Sequence, residues 1–203
     1  GGRGGAGIMS FDEEMVRNAP VAPSGPVDAE EMWARLSYFL DAVVPVAEEA
    51  GVQLACHPDD PPVDVLRGTA RILNSTEALQ RLLDAHPSPN SGLNFCQGTM
   101  AEAGADIEAA IRSFVGQRRV FVVHFRNIER HDSDHLSFDE TFIDEGDVDM
   151  IAMLRLYHEL GYDGLMDPDH APVLEGDGQW TRERGYAYAL GYMRAVQQEW
   201  ERR

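Results

Sequence analysis

The sequence predicts an α/β fold of the (β/α) TIM-barrel type, with about half of the eight-stranded barrel in this chain. Three observations predict it. Short apolar runs alternate with amphipathic helical stretches, the pattern of a parallel sheet with crossover helices. Four of these runs end in metal-ligating or acid–base residues: 52–56 into His57, 93–95 into Cys96, 120–123 into His124, and 165–166 into Asp167, Asp169 and His170. Helix-to-strand connections are short and strand-to-helix connections long and polar, and a barrel builds its site from the latter, at the carboxyl ends of its strands.

Residues 1–7 have linker composition, and 19–26 hold three prolines. The stretch 1–26 therefore reads as a flexible N-terminal segment, with one or two helical turns at 11–17. The remainder, 27–203, reads as one partial-barrel catalytic domain. Its first helix is 28–50, capped by Asp28, with Met32, Leu36, Phe39, Leu40, Val43 and Val44 at helical spacing. Pro45 predicts a kink or a break in it. Gly51 ends it, and strand 52–56 runs into the hard turn His57-Pro58-Asp59-Asp60-Pro61-Pro62.

Ser75-Thr76 opens a helix ending near Ala85, and Pro87, Pro89 and Gly92 make the return to strand 93–95. Gly98-Thr99 turns the chain into helix 106–114, whose apolar face is Ile107, Ala110, Ile111 and Phe114. Strand 120–125 follows. The stretch 126–146 lacks apolar periodicity, and Phe138 and Phe142 within it suggest a lid rather than a linker. Helix 147–160 closes at Gly161, strand 164–166 leads to Asp167-Pro168-Asp169-His170, and helix 183–200 ends the pattern.

Only four such strands are legible, and half a barrel has two open edges and an uncovered interior. Two solutions stand open: a second copy completes it in a homo-oligomer, or strands that belong before Phe11 are absent. A length of 203 residues is ordinary for one domain. The net charge of −18 argues against nucleic acid and anionic membrane surfaces as partners. No apolar run reaches the roughly 18–20 residues of a membrane span, and 1–10 lacks the apolar core of a signal peptide. Cys56 and Cys96 are too few for a disulfide framework and are expected reduced, in a cytoplasmic protein.

The candidate site is His57, Cys96, His124 and Asp169 around one divalent ion. Singly each has a plainer reading: a hydrogen-bonded core histidine, a small apolar filler, a turn cap. Jointly, four strand ends meeting at one barrel mouth favour the metal. Thiolate favours zinc or iron, while carboxylate and open positions allow manganese. Asp59 and Asp60 either serve this site or cap their own turn. Arg126 is either a bidentate grip on a substrate carboxylate or a surface arginine. His86, His131, His135 and His158 read as solvated.

Several strings carry a resemblance: 30–33 and 45–51, His57 to Pro62, Asn94-Phe95-Cys96-Gln97-Gly98-Thr99, Val123-His124-Phe125-Arg126-Asn127, Phe138-Asp139-Glu140, Gly146-Asp147-Val148-Asp149-Met150 and Met166-Asp167-Pro168-Asp169-His170. From Ala29 onward the chain resembles the mannonate dehydratase family. The resemblance implies a xylose-isomerase-like barrel, a divalent ion that is typically manganese, and a small sugar-acid substrate. It implies dehydration of D-mannonate to 2-dehydro-3-deoxy-D-gluconate in glucuronate catabolism. The family's metal ligands fall on His57, Cys96, His124 and Asp169. Its acid–base pair falls on His170 and Tyr186, with Tyr188 as the rival tyrosine; the expected substrate-binding residues are Arg126, Asn127 and Asp60. The family's N-terminal barrel half has no counterpart here. The other readings are a metal-dependent sugar isomerase or epimerase on the same scaffold, and a non-catalytic barrel fragment.

Overall fold

The computed structural model describes residues 1–131, 134–178 and 181–201. In chain order its elements are β1 (Ser10–Asp12), α1 (Glu13–Arg17), α2 (Ala29–Ala50), β2 (Leu54–Cys56), the hairpin β3 (Val65–Leu66) and β4 (Thr69–Ala70), α3 (Thr76–Ala85), β5 (Ser91–Cys96), α4 (Gln97–Glu102), α5 (Ile107–Gly116), β6 (Val120–His124), β7 (Ile128–Arg130), β8 (Ser137–Glu140), α6 (Met150–Glu159), β9 (Leu165–Asp167) and α7 (Glu183–Glu201). Among the described residues no helix is long and apolar enough to cross a membrane.

The fold is α/β, built on a parallel sheet in the order β2-β5-β6-β9. The sheet does not close on itself: β2 and β9 are its edges. Its register sets up the site, since Cys96 pairs with His124 and His124 with Asp167. Three strand ends therefore stop at one level.

Polar caps start the helices that return to this sheet. Asp28, Ser75, Asp106 and Asp149 each accept a backbone N–H of the first turn of α2, α3, α5 and α6. Each such cap is worth about 1 kcal/mol. The helices bury Leu79, Leu82, Leu83, Ile111, Phe114, Leu154 and Tyr157 with Leu93, Phe95 and Val123 of the strands. Phe95 packs on Phe114 with ring centroids 5.8 Å apart, within the usual range for aromatic pairs. Burying each Leu or Phe fully contributes about 1.5–3 kcal/mol.

Four expectations are corrected. α2 runs unbroken through Pro45, because Pro45 and Asp41, whose carbonyl it leaves unpaired, both lie on the exposed face. The stretch 126–146 is not irregular: β7 and β8 pair antiparallel within it, although 132 and 133 lie outside the described residues. Strands of three and four residues are too short to show a period. The segment 1–26, expected to be flexible, carries defined pairings: β1 aligns with β8, Gly7 bridges Val173, and the Arg3 guanidinium holds Asp144 at 2.9 Å. Its glycines hid a strand whose partner lies more than a hundred residues away. Finally, Gly98-Thr99 is the start of a fully buried helix, α4, not a plain turn.

Candidate metal centre

Each expected ligand arrives from a strand end. His57 follows β2, and its Nδ1 lies 2.6 Å from the Pro58 carbonyl, so Nδ1–H donates there and Nε2 keeps its lone pair. His124 ends β6, and the Asn94 side-chain amide of β5 sits 2.8 Å from its Nε2. That leaves His124 Nδ1 facing inward, 3.2 Å from His57 Nε2 and 3.4 Å from Asp169 Oδ1. Cys96 ends β5 and is fully buried. Ligand atoms of His57, Cys96 and His124 all lie within 4.8 Å of one another. Asp169, four residues of chain beyond β9's Leu165, completes the group with a left-handed φ of 58°.

The charges fit a cation. Burial pushes the Cys96 thiol up, but Arg126 and the hydrogen-bonding imidazoles of His124 and His57 outweigh it and hold it at about 5. Burial likewise opposes the charged form of Asp169, yet His124, His170 and Arg126 keep it at about 2. His124 is drawn up to about 10, against the effect of burial, by Asp169 and Cys96. Two imidazole nitrogens face each other beside a thiolate and a carboxylate, with Cys96 fully buried and the other three groups partly exposed at the cavity floor. A divalent ion bound there would displace the His124 proton and take mixed N, S and O donors. The Pro58 carbonyl accepts from His57 Nδ1, and the Asn94 side-chain N–H donates to His124 Nε2, so the rings turn Nε2 and Nδ1 respectively toward the group.

Arg126 lies beneath this group, with its side chain 1% exposed. Its NH1 donates to Glu102 Oε1 at 2.7 Å and Glu140 Oε1 at 2.8 Å. Its NH2 donates to Asp60 Oδ2 at 2.8 Å, Thr99 Oγ1 at 3.1 Å and Cys96 Sγ at 3.4 Å. Its Nε stands 3.2 Å from Asp169 Oδ2. Gly98 makes room for it, since a Cβ there would meet Arg126 Nε at 2.8 Å. Burial pushes Glu102 up to about 9, against the pull of Arg126. Its contact with Arg126 is thereby a hydrogen bond more than an ion pair.

A cavity of about 380 Å³ opens above the ligands, lined by His57, Asp60, His124, Glu140, Asp169 and His170. Met9, Ser10, Phe11 and Phe138 form its opposite wall. Size alone does not locate the site. A larger groove of about 600 Å³ runs along the β9 edge by Tyr157, Met166 and Trp200, away from the two clusters of convergent ligands found among the described residues, His57–Cys96–His124 and Asp60–Glu102–Glu140.

The structure thus brings together His57, Cys96, His124, Asp169, Asp60 and His170. It does not bring Arg126 or Asn127 to the cavity wall, where substrate contact was expected. Arg126 is consumed by the buried anions. Asn127, 2% exposed, accepts from the Ile128 and Val148 N–H groups and donates to the Val148 carbonyl, stapling the loop before α6. Asp59 tends its own turn, accepting from Leu73 N and pairing with Arg71. Tyr186 lies where Asp167 and Asp169 act on it, while the Tyr188 hydroxyl accepts from Arg3 and its ring packs on Phe142. Neither tyrosine lines the cavity. Glu140 and Thr99 lie in strings that carried the family resemblance but had no role assigned, and Glu102 and the residues of β1 carried no signal in the sequence. Asn94 carried one: a polar residue between Leu93 and Phe95 in a buried strand.

The model of the D-mannonate dehydratase (UxuA) family matches residues 17–202. The chain belongs to the D-mannonate dehydratase family. Mannonate dehydratase 2 of Halalkalibacterium halodurans is 38% identical over 183 residues, covering 84% of this chain and 51% of that protein. The chain spans about half the length of the curated D-mannonate dehydratases it matches. The crystal structure of mannonate dehydratase from Streptococcus suis serotype 2 superimposes with a TM-score of 0.79 at 28% identity, over 97% of this chain and 60% of that one. A xylose isomerase domain protein from Alicyclobacillus acidocaldarius shares the fold alone, with a TM-score of 0.58 at 20% identity, over 84% of this chain and 62% of that one.

Proposed function

We propose that this chain carries the metal-binding and acid–base part of an enzyme that dehydrates D-mannonate to 2-dehydro-3-deoxy-D-gluconate. The observation that carries the reading is the convergence of His57, Cys96, His124 and Asp169 beneath a cavity of sugar-acid size. The open four-stranded sheet is about half of a (β/α) barrel, whose other strands come from polypeptide beyond this chain or from a second copy.

His57 Nε2, Cys96 Sγ, His124 Nδ1 and an Asp169 oxygen would hold one divalent ion, manganese by family likeness. The ion would act as a Lewis acid on the substrate's carboxylate and hydroxyl oxygens. The chain's own residues do the rest. The C2 proton is weakly acidic, so a base must take it as charge spreads onto the carboxylate. The C3–O bond then breaks, and an acid protonates the departing hydroxide to water. The resulting enol tautomerises to the 2-keto acid. His170, in the cavity wall, fills one acid–base role, and Tyr186, outside that wall, fills the other by family likeness. Asp60, held by Arg126 and Thr99, turns its carboxylate edge toward a substrate hydroxyl. Phe11 and Phe138, 5.5 Å apart, close the far side against water.

The test is the manganese-loaded chain with D-mannonate, reading 2-keto acid formation and product mass. A product lighter than substrate by one water supports the reading. A product of unchanged mass would reassign the site to sugar isomerisation, and metal uptake without turnover would leave it a binding module.

A further inference from the structure

One buried carboxylate touches the acid–base histidine and has no part in holding the ion. Glu140 ends β8 and is 4% exposed. Its Oε1 lies 2.9 Å from His170 Nδ1 and also accepts from Arg126 NH1 at 2.8 Å. Its Oε2 is buried without a hydrogen-bond partner. Arg126 is itself fixed by Glu102, Asp60 and Thr99, so Glu140 has one place to be. An anionic oxygen so anchored accepts a proton-bearing nitrogen and excludes a lone pair. His170 is thereby held with Nδ1–H toward Glu140, while Nε2 lies on the cavity side, 3.8 Å from Asp169 Oδ1.

We propose that Glu140 is the positioning residue of the acid–base histidine, fixing the tautomer and ring orientation of His170 from the antiparallel cap. This inference rests on the dehydratase reading for its kinetic consequence, and on geometry alone for its structural one. A carboxylate behind an imidazole performs this orienting role in hydrolytic triads, where losing the correct tautomer is costly. Here the carboxylate comes from β8, an element that the parallel sheet does not contain. The cap is then part of the acid–base machinery as well as a wall.

The experiment is nitrogen-15 NMR of the histidines, assigned by comparison with His170→Ala, at a pH where the imidazole is neutral. The expected result is Nδ1–H with a bare Nε2 in the wild-type chain, and loss of that tautomer in Glu140→Ala. Turnover of Glu140→Ala is expected to fall about 100-fold in kcat, the lower range for a positioned acid–base group, with KM changed less than about threefold and metal content unchanged. Glu140→Gln retains one oxygen for both donors, so it is expected to keep the tautomer and to lose less than about tenfold in kcat. It also decides the matter should Glu140→Ala fail to fold. An Nε2–H tautomer in the wild type, the native tautomer persisting in folded Glu140→Ala, or its loss in Glu140→Gln overturns the proposal. Absence of any dehydratase turnover in the wild type removes the proposed function instead, while the NMR result still decides what Glu140 does.

Discussion

The carboxyl rim of the parallel sheet and the antiparallel cap above it build the same cavity by different means. The rim takes its ligands from β2, β5, β6 and the turn after β9, where sheet register alone brings Cys96, His124 and Asp167 level. The cap joins β1, near the start of the chain, to β7 and β8, with Phe11 opposite Phe138 and Ser10 opposite Asp139. The rim supplies donors in a fixed array on rigid strands. The cap supplies Glu140, Phe138 and Phe11 on short strands held by few pairings. Chemistry that needs ångström precision sits on the first, and enclosure and orientation come from the second.

Arg126 is where the two regions meet, so removing it is the largest test of their coupling. Arg126→Met leaves the buried Glu102 and Glu140 and the partly buried Asp60 and Asp169 without their shared cation. The expected loss is about 3–5 kcal/mol of unfolding free energy, read by urea denaturation. A loss under about 1 kcal/mol would mean that rim and cap are held together by something other than this guanidinium.

His124→Ala tests the rim by itself. It deletes one donor from the shared group and leaves β1, β7 and β8 unaltered. Metal affinity is expected to fall by more than about 100-fold, beyond the loss typical of an outer-shell contact, as read by titration with manganese or zinc. Amide exchange in the cap should remain as in the wild type. Retained affinity would remove His124 from the ligand set.

Arg3→Ala tests the cap by itself and has the smallest effect. Its hydrogen bond is the main reason Asp144 sits below its ordinary value of 3.8. The folded state has the lower value, so this contribution is complete above 3.8 and fades as pH falls through the folded value. Arg3 is 45% exposed and Asp144 23%, so solvent screens the pair and its worth is at most about 1 kcal/mol. The stability gap between wild type and Arg3→Ala should be present at neutral pH and close in acid, once Asp144 is protonated in the folded and the unfolded state alike, with metal affinity unchanged throughout. A gap that persists in acid would assign it to Arg3 stacking on Phe142, 4.6 Å from the ring centre, and not to the ion pair.

Those two regions also differ in how much of them the linear sequence disclosed. The parallel strands and their helices were legible because each is local: apolar runs stop at His57, Cys96 and His124, and Asp28, Ser75 and Asp106 mark where helices begin. Chemical type and position along a strand suffice to nominate ligands, since a parallel sheet aligns the ends of its strands. The partners of those ligands were not legible. Arg126 reads from its neighbours as a substrate grip, and only the packing of α4 against β6 shows it enclosed by Glu102, Glu140, Asp60 and Asp169. Glu140 faces His170 because a strand from 137–140 folds over a turn from 168–170, and no period or motif encodes that distance. Periodicity and residue chemistry determine which groups are present and on which element. Long-range packing decides which of them touch, because burial and charge at a site depend on every segment that meets there.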